Sequence, residues 1–335
     1  MKILLCSYVF SPSVGGIETV SKILAGEFTR LGSKVTVVTE TPGPAMDAPY
    51  AVVRRPSLSK LFKLAREADV ILQNNISLRM LAPLLASRRP VVVAHHTWIA
   101  RTDGRLGWQD HLKKTVIRAC RNIAISEAIA RSLPMRSMVI GDPFEAGEFE
   151  DAGSGTRTKD LVFMGRLVSD KGCDVALRSL AMLKREGIRP SLTVIGDGAE
   201  GPALKKLTAE LGLGDQVSFL GAMREGRGRE VARHKVMVIP SVWAEPFGVV
   251  ALEGLAAGCV PAASANGGLP DAVGPCGLLF PNGDAAALAA VLKQLLGKPE
   301  LREKLMAERE RHLAKFLPEA VTRQYLEVFE SAMRK

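Results

Sequence analysis

Apolar runs alternate with amphipathic stretches from the start of the chain. Residues 3–9 form an apolar run, a glycine-containing turn follows, and residues 17–31 repeat apolar positions at helical spacing. A glycine ends that stretch, and residues 34–39 form a second apolar run. The order strand, helix, strand predicts a parallel, doubly wound α/β sheet. Later strands of the same sheet are predicted at residues 69–72 and 90–94.

The same alternation starts again in the second half of the chain. The polar, glycine-containing residues 145–159 are typical of a linker. After it, the pattern predicts strands at 161–164, 191–195, 217–220 and 236–239, with helices near 175–186 and 202–211. We therefore predict two domains, residues 1–148 and 149–317. A last helical pattern, residues 318–335, follows the completed second core and is expected to cross back to the first domain.

Composition agrees with two globular domains. The chain has 335 residues, of which 47% are apolar and 24% charged, so it can bury two cores. Its five cysteines include no C-x-x-C pair, which argues against a zinc site or a disulfide framework and fits a reducing cytoplasm. No apolar run approaches the ~18 residues that span a bilayer, so any membrane contact is expected to be peripheral.

The net charge of +10 is concentrated in the first half. Residues 1–148 contain 20 Lys and Arg against 12 Asp and Glu, whereas residues 149–335 contain 25 against 23. Eight cations lie in one segment: Arg101, Arg105, Lys113, Lys114, Arg118, Arg121, Arg131 and Arg136. Such a cluster indicates attraction to an anionic surface or acceptor. A solvated basic face without a partner is an equal alternative.

Within this basic segment, residues 110–121 have the pattern of an amphipathic helix. Leu112, Val116 and Ala119 are predicted to face inward, with the neighbouring cations outward. Anionic lipids attract clustered cations of this kind. We therefore expect an anionic or lipid-linked acceptor at the inner face of a membrane, and no nucleic acid partner.

The stretch of residues 241–271 carries the strongest candidate chemistry. Pro246 is placed as the first residue of a helix that runs to Gly258, and the N–H groups of residues 247–249 then form an anion site. Glu245 precedes this helix, and Glu253 lies about 12 Å further along it. Carboxylates at the two ends of an anion site suit the hydroxyls of a nucleotide sugar. The alternative makes Glu245 a helix cap and Glu253 a solvated residue.

Two cations follow the first strand of the second half. Arg166 and Lys171 lie on the loop after residues 161–164, where parallel strands present their carboxyl ends and where two positive charges can neutralise a diphosphate. Gly15 and Gly16 follow the first strand of the chain and would let backbone N–H groups approach a phosphate. The sequence has no Asp-x-Asp pair and no P-loop, so no metal site is predicted.

Two histidines end the strand at 90–94. His95 or His96 could donate a hydrogen bond to a reacting sugar, although a histidine at a strand end more often has a structural role. The sequence leaves the choice between them open.

Jointly these motifs resemble those of a known family. They are Gly15-Gly16-Ile17-Glu18, His95 before Thr97-Trp98, Ser126 within residues 122–129, Gly165-Arg166-Leu167 with Lys171-Gly172, Gly196-Asp197-Gly198, Glu245-Pro246-Phe247-Gly248 with Glu253, and Gly267-Gly268-Leu269-Pro270. The sequence resembles family 4 retaining glycosyltransferases of GT-B fold. That resemblance implies two Rossmann-like domains facing a central cleft, with no cofactor and a donor of UDP or GDP type.

The resemblance also implies roles for individual residues. Arg166 and Lys171 would hold the diphosphate, Glu253 the ribose diol, and Glu245 a hydroxyl of the donor sugar. His95 would contact the sugar near its anomeric carbon. The phosphate cradle would be completed by backbone groups of Gly15, Gly16, Gly165, Phe247, Gly248 and Val249. Asp271 departs from the family pattern, which has Glu there, so its role is undefined.

The function implied is sugar transfer from a nucleotide-diphosphate sugar to an acceptor hydroxyl, in the synthesis of cell-envelope or exopolysaccharide glycans or glycolipids. Two alternatives remain on the same architecture. One is a nucleotide-sugar 2-epimerase or hydrolase, and the other is a binding protein without catalysis.

Overall fold

The structure is a computed structural model that describes residues 1–13, 15–100, 105–150 and 157–334. The chain divides into two compact units, the first formed by Met1–Pro143 with Phe316–Lys335 and the second by Phe144–Lys315. The division after Pro143 lies five residues before the predicted boundary. Part of the predicted linker is helical, because Ala146–Glu150 form a helix; residues 151–156 lie outside the described residues.

The first unit contains a parallel sheet in which seven strands are described, in the order β3-β2-β1-β4-β5-β6-β7. The strands are β1 Lys2–Ser7, β2 Lys34–Thr39, β3 Ala51–Arg54, β4 Val70–Asn74, β5 Val91–His95, β6 Arg121–Ala124 and β7 Met138–Val139. The helices between them are α1 Gly16–Arg30, α2 Leu58–Glu67, α3 Leu78–Ala86, α4 Trp108–Val116 and α5 Glu127–Ser132. All residues of β4 and β5 are buried, as expected when helices cover both faces of a parallel sheet.

Helix α4 is rotated relative to the prediction. Leu112 is exposed rather than packed inward, and Asp110 is buried in its place. The Asp110 carboxylate accepts a hydrogen bond from the Gly107 N–H at 2.9 Å and pairs with Lys113 at 3.3 Å. This carboxylate caps the first turn from the inner side of the helix, and Leu112 turns outward. Val116 and Ala119, also predicted to face inward, are partly buried and exposed, respectively. Arg101, predicted to belong to the basic segment, lies outside the described residues.

The second unit also contains a parallel sheet, with six described strands in the order β10-β9-β8-β11-β12-β13. The strands are β8 Lys159–Met164, β9 Leu192–Ile195, β10 Val217–Gly221, β11 His234–Ile239, β12 Val260–Ser264 and β13 Leu278–Phe280. The helices are α6 Ala146–Glu150, α7 Cys173–Arg185, α8 Gly201–Glu210, α9 Arg227–Val231, α10 Val249–Ala256, α11 Leu269–Val273, α12 Ala285–Gly297, α13 Pro299–Met306 and α14 Arg309–Leu313. Strand order reverses between β8 and β11, and ligands of such sheets bind at the carboxyl ends of strands beside this point.

The last helix, α15 Pro318–Met333, packs on the first unit, as the sequence predicts. Its Val321, Tyr325 and Phe329 are spaced four residues apart and form one buried stripe. The Phe329 ring lies 5.4 Å from the ring of Phe28 in α1, centroid to centroid. Across the described residues, no helix combines the length and apolarity that a bilayer span requires.

From the aromatic contact with α1 we predict how much a substitution in α15 lowers the free energy of unfolding. Phe329→Ala is expected to lower the free energy of unfolding by about 3–5 kcal/mol, because it leaves a cavity in a fully buried cluster. Met333→Ala, at an exposed position of the same helix, is the matched control and should change it by less than about 0.5 kcal/mol. Urea unfolding of the three proteins measures both values. Equal effects of the two substitutions would show that α15 is not anchored through its buried stripe.

Candidate functional site

The loop after β8 lies against the backbone that follows β11. Gly172 has a positive φ of 67°, and a Cβ atom there would come within 2.0 Å of the Pro240 carbonyl oxygen. Only glycine combines this conformation with so close an approach. The contact brings Lys171, just before it, to the segment that begins at Ser241.

Lys171 and Glu245, predicted to hold the diphosphate and a hydroxyl of the donor sugar, meet in the structure. The Lys171 Nζ atom lies 2.5 Å from Glu245 Oε1, and the Ser241 hydroxyl donates to the same oxygen at 2.7 Å. Glu245 is buried, and burying a carboxylate is costly unless such partners accompany it. The pair therefore fixes one carboxylate and one cation at the carboxyl end of the second sheet.

Arg166 lies on the same loop as Lys171 but differs from it in exposure and in ion pairing. Its side chain is exposed, and among the described residues it forms no ion pair. Its positive charge is therefore not balanced by a neighbouring carboxylate, whereas the charge of Lys171 is. An anion placed against this loop would meet the guanidinium of Arg166 first.

Glu245 does not cap the helix that follows it. Helix α10 begins at Val249, three residues later than the predicted start at Pro246, and its N-cap is Gly248. The backbone of Glu245 instead pairs with Gly267 in an isolated bridge, and its carbonyl accepts from the Gly268 N–H at 2.7 Å. A Cβ atom on Gly267, which has a φ of 78°, would lie 2.3 Å from that carbonyl oxygen. This contact between loops, rather than helix propensity, sets the start of α10.

The later start of α10 changes the predicted anion site. Of the three N–H groups assigned to the first turn, only that of Val249 belongs to the helix. Gly248 precedes it with a φ of 105°, and Phe247 is buried before the helix begins. An irregular segment thus precedes the first turn of α10, and it brings Glu245 to the N-terminal end of that helix.

Glu253 lies in a charged cluster that the sequence analysis missed. Burial raises the pKa of its carboxyl to about 7, partly opposed by the positive charge of Arg227. Arg227 itself pairs with Glu148 and lies 3.5 Å from Glu145. The residue as a whole is partly exposed although its carboxyl is buried, so Glu253 is not simply a solvated helix residue. No sequence pattern links α6, α9 and α10, which is why this cluster was not predicted.

Two further predicted residues lie at the start of α1 in the first unit. Gly16 is the first residue of α1, and Gly15 precedes it. A Cβ atom on Gly15 would lie 2.6 Å from Glu18 Oε2, and the other carboxylate oxygen, Oε1, accepts a hydrogen bond from the Ser13 hydroxyl. Glu18 therefore folds back over this turn, and glycine gives it room.

His95 is held away from solvent. Its Nε2 lies 2.8 Å from the side-chain oxygen of Asn122, whose amide nitrogen donates to two backbone carbonyls. Because that nitrogen is the donor, the Asn122 oxygen accepts and His95 Nε2 carries the proton. Burial lowers the pKa of His95 to about 4, so the ring is neutral near pH 7. His95 can donate no second hydrogen bond in this tautomer.

His96 belongs to a different set of contacts. Its Nε2 lies 2.6 Å from the side-chain oxygen of Asn74, and its Nδ1 lies 2.9 Å from Asp142 Oδ1. Asn74 lines a cavity of about 490 Å³ at the carboxyl ends of β1 and β4. Tyr8, Asn75, Arg79, Gln109 and Lys113 also line it. His96 therefore contacts a residue of this cavity, whereas the role predicted for His95 remains a prediction.

Comparisons with known proteins identify the family. A model described as glycosyl transferases group 1 matches residues 146–312, and one described as glycosyltransferase family 4 matches residues 14–136. The protein is a family 4 glycosyltransferase. The group 1 match lies in the second unit and includes Lys171 and Glu245, and the family 4 match lies in the first unit and includes the cavity residues from Ile17 to Lys113.

Curated relatives of this glycosyltransferase match part of its length. D-inositol 3-phosphate glycosyltransferase of Thermomonospora curvata is 37% identical over 184 residues, which cover 51% of this chain and 42% of the relative. The lipopolysaccharide core biosynthesis glycosyltransferase LpsD of Rhizobium meliloti is 34% identical over 184 residues, with 52% and 50% covered. The matched stretch thus spans about half or less of these relatives.

Solved structures match the glycosyltransferase over its whole length. HepE of Anabaena, solved in complex with UDP, has a TM-score of 0.82 at 19% identity, with 99% of this chain and 100% of that chain covered. Sucrose-phosphate synthase of Thermosynechococcus elongatus has a TM-score of 0.79 at 23% identity, with 99% of each chain covered. At these identities the likeness shows the fold alone, which is GT-B.

The raised pKa of Glu253 predicts how stability depends on pH. The folded-state value of about 7 lies above the usual value of 4.5, so folding favours the protonated carboxyl. This contribution is complete below about pH 4.5 and is lost as the pH rises to about 7. Glu253→Gln carries no charge, so we expect it to gain about 1–3 kcal/mol relative to the wild type between pH 5 and pH 8.

Urea unfolding at both pH values measures this gain. Glu210→Gln, at an exposed position of α8, is the control and should show no such gain. A stability difference between Glu253→Gln and the wild type that does not change with pH would contradict the assignment.

Proposed function

We propose that this glycosyltransferase moves a hexosyl group from a nucleotide-diphosphate sugar to an acceptor hydroxyl with retention of anomeric configuration. One observation carries the proposal: the loop after β8 supplies Lys171, paired with buried Glu245, and also Arg166, whose charge is unbalanced. A sugar diphosphate has complementary groups for all three, anionic oxygens for the cations and hydroxyls for the carboxylate.

The roles follow from the charges. Arg166 would bind the diphosphate through two parallel N–H donors. Lys171 would stabilise the charge that develops on the leaving diphosphate, since it lies in a partly buried place where electrostatic interactions are strong. Glu245 would accept a hydrogen bond from a hydroxyl of the donor sugar. The Lys171 ammonium holds that carboxylate in position.

Glu253 is proposed to bind the ribose diol of the nucleotide, with N–H groups of Gly248 and Val249 contributing to the phosphate cradle. The complexes of HepE with UDP and with UDP-glucose support a UDP-type donor, and a GDP-type donor is the alternative. The roles predicted for Gly15, Gly16 and His95, which belong to the first unit, remain predictions.

For retention we propose attack on the face from which the diphosphate leaves. The anomeric carbon's bond to the diphosphate oxygen breaks while the new bond to the acceptor oxygen forms. An oxygen of the departing diphosphate accepts the proton of the acceptor hydroxyl. The anomeric configuration of the product, measured by NMR, tests this step. Consumption of the donor at full rate without acceptor would favour the epimerase or hydrolase alternative.

The name of one curated relative, a lipopolysaccharide core biosynthesis glycosyltransferase, supports an acceptor of envelope type. We propose a glycan or lipid-linked acceptor in cell-envelope or exopolysaccharide synthesis, used in the cytoplasm at the inner face of a membrane. The five cysteines are free, four of them buried, which is compatible with a reducing compartment.

The proposed roles of the two cations predict large losses of activity. Arg166→Ala and Lys171→Ala are each expected to lower turnover by about a hundredfold or more, since each removes charge from the leaving diphosphate. Arg178→Ala, at an exposed position of the neighbouring helix α7, is the control and should keep turnover within about twofold. Initial rates with a sugar nucleotide, together with thermal unfolding, separate lost catalysis from lost folding. Near-normal turnover in both site variants would refute the assignment.

The diphosphate is proposed to be neutralised by side chains rather than by a bridging metal. The sequence has no Asp-x-Asp pair to hold such an ion, whereas Arg166 and Lys171 are available. Turnover is therefore expected to change by less than about twofold when EDTA is added. Complete loss of turnover, restored by Mn²⁺ or Mg²⁺, would overturn this part of the mechanism.

A further inference from the structure

Arg227 of α9 lies among carboxylates that come from other parts of the second unit. Its Nε donates to Glu148 Oε1 at 3.0 Å, and its Nη2 donates to Glu148 Oε2 and lies 3.5 Å from a carboxylate oxygen of Glu145. The guanidinium carbon also lies 5.6 Å from the centre of the Phe149 ring. These contacts with α6 and with the residue before it fix the position of the positive charge on α9.

The backbone holds the same two helices together. A Cβ atom on Gly228 would overlap the Glu148 carbonyl oxygen, so only glycine allows α9 to approach α6 this closely. Helix α6 packs in turn against α10, which contains Glu253. Three helices that are distant in sequence therefore bring Arg227 and Glu253 into one cluster.

The charges in this cluster are unequal. One guanidinium, that of Arg227, faces the carboxyl groups of Glu145, Glu148 and Glu253. Burial raises the pKa of Glu253 to about 7, Arg227 opposes this rise, and the charges of Glu145 and Glu148 add to it. The bond to Glu148, and then the charge of Glu253, raise the pKa of Arg227. Arg227 and Glu253 therefore influence each other without forming a direct ion pair.

Other elements packed on α10 also carry charged or titratable groups. These are His234 and Lys235 of β11, Asp271 of α11, and Arg309, Glu310, Arg311 and His312 of α14. Lys235 pairs with Asp160, and Arg309 lies near Gly258, past the C-terminal end of α10. The charges that act most strongly on Glu253 are those on α9 and α6 and just before α6.

Ionisation decides what Glu253 can bind. An ionised carboxylate accepts hydrogen bonds through both oxygens and so matches the two hydroxyls of a ribose, whereas a protonated carboxyl uses one oxygen as a donor. A carboxyl with a pKa of about 7 is divided between the two forms at neutral pH. A neighbouring positive charge moves that division toward the ionised form.

We propose that Arg227 is a positioning residue for nucleotide binding: its guanidinium, held in place by α6, supplies the positive charge that lets the Glu253 carboxylate accept both ribose hydroxyls. Arg227 acts through Glu253, because its own donors are directed to Glu148. This role rests on the proposed function, which assigns the ribose diol to Glu253.

The pH dependence of nucleotide affinity tests this role. Isothermal titration calorimetry of the full chain uses UDP, or GDP if that binds more tightly, between about pH 6 and pH 9. Affinity of the wild type is expected to rise with pH and to level off above about pH 7. Arg227→Gln should move this rise upward by about one pH unit, which weakens binding about fivefold at pH 7 and leaves it within about twofold at pH 9. Titration of the nucleotide itself is common to all variants and cancels in the comparison.

Glu145→Gln gives a test of opposite sign. Because the charge of Glu145 raises the pKa of Glu253, its removal should move the rise downward and strengthen binding at pH 6 by about twofold or more. A loss of folding cannot produce tighter binding. Arg227→Lys keeps the charge and should recover most of the wild-type profile. Arg229→Gln, at an exposed position of the same helix, is the matched control and should leave affinity within about twofold.

A double-mutant cycle shows whether Arg227 acts through Glu253. In the Glu253→Gln background, Arg227→Gln should change affinity by less than about twofold at every pH, because the carboxylate that it serves is absent. Thermal unfolding verifies that each variant folds, and Glu145→Gln decides the sign if Arg227→Gln does not fold.

The positioning role is refuted if Arg227→Gln keeps the wild-type profile, if it weakens binding equally at every pH, or if it has the same effect with and without the Glu253 carboxylate. A different result would refute the proposed function itself: Glu253→Gln that binds like the wild type at every pH, or a wild type that binds neither UDP nor GDP. In that case the role of Arg227 is refuted with it, so the two failures are distinguishable.

Discussion

Backbone contact without intervening side chains determines the geometry of the second unit's site. Where Gly172 meets the carbonyl of Pro240, a methyl group would overlap the oxygen. Lys171 and Glu245 are 74 residues apart in the chain, and this contact lets them meet at 2.5 Å. Leaving a buried carboxylate without its cation costs several kcal/mol. The glycine contact and the ion pair therefore depend on each other.

The charges of the second unit separate two kinds of ligand group. On the loop after β8, Glu245 balances the charge of Lys171 but not that of Arg166. The net positive charge that remains there suits a phosphate group. Around Glu253, Arg227 is outnumbered by carboxylates; burial is the main cause of the raised pKa of Glu253, and the charges of Glu145 and Glu148 add to it. Such a cluster accepts hydrogen bonds from hydroxyls and repels phosphate. A ligand that combines an anionic middle with hydroxyl-bearing ends fits this division better than a simple anion does.

Local sequence patterns predicted most of the strands and helices. They did not predict the features that tertiary contacts determine. Alternating apolar and amphipathic runs were enough for two parallel sheets and for the last helix. Strand β7, with two residues, and β12, which contains Pro261, have no pattern of their own. Pro246 satisfies the local rule for a helix start, yet the bridge between Glu245 and Gly267 delays α10 to Val249. In α4 a tertiary feature again decided the outcome, because the buried Asp110 cap leaves Leu112 exposed, which the apolar stripe alone did not predict.

The two adjacent histidines show where sequence reasoning ends. His95 and His96 alternate across the end of β5, so one bonds Asn122 and the other Asn74. Asn74 continues the contacts to the Ser21 hydroxyl at 2.6 Å, and that hydroxyl lies 2.9 Å from the one of Ser7. Such a buried polar chain contributes little net stability, because each member gives up hydration. What it does provide is a fixed orientation for the Asn74 amide at the wall of the cavity, which an apolar core would not supply.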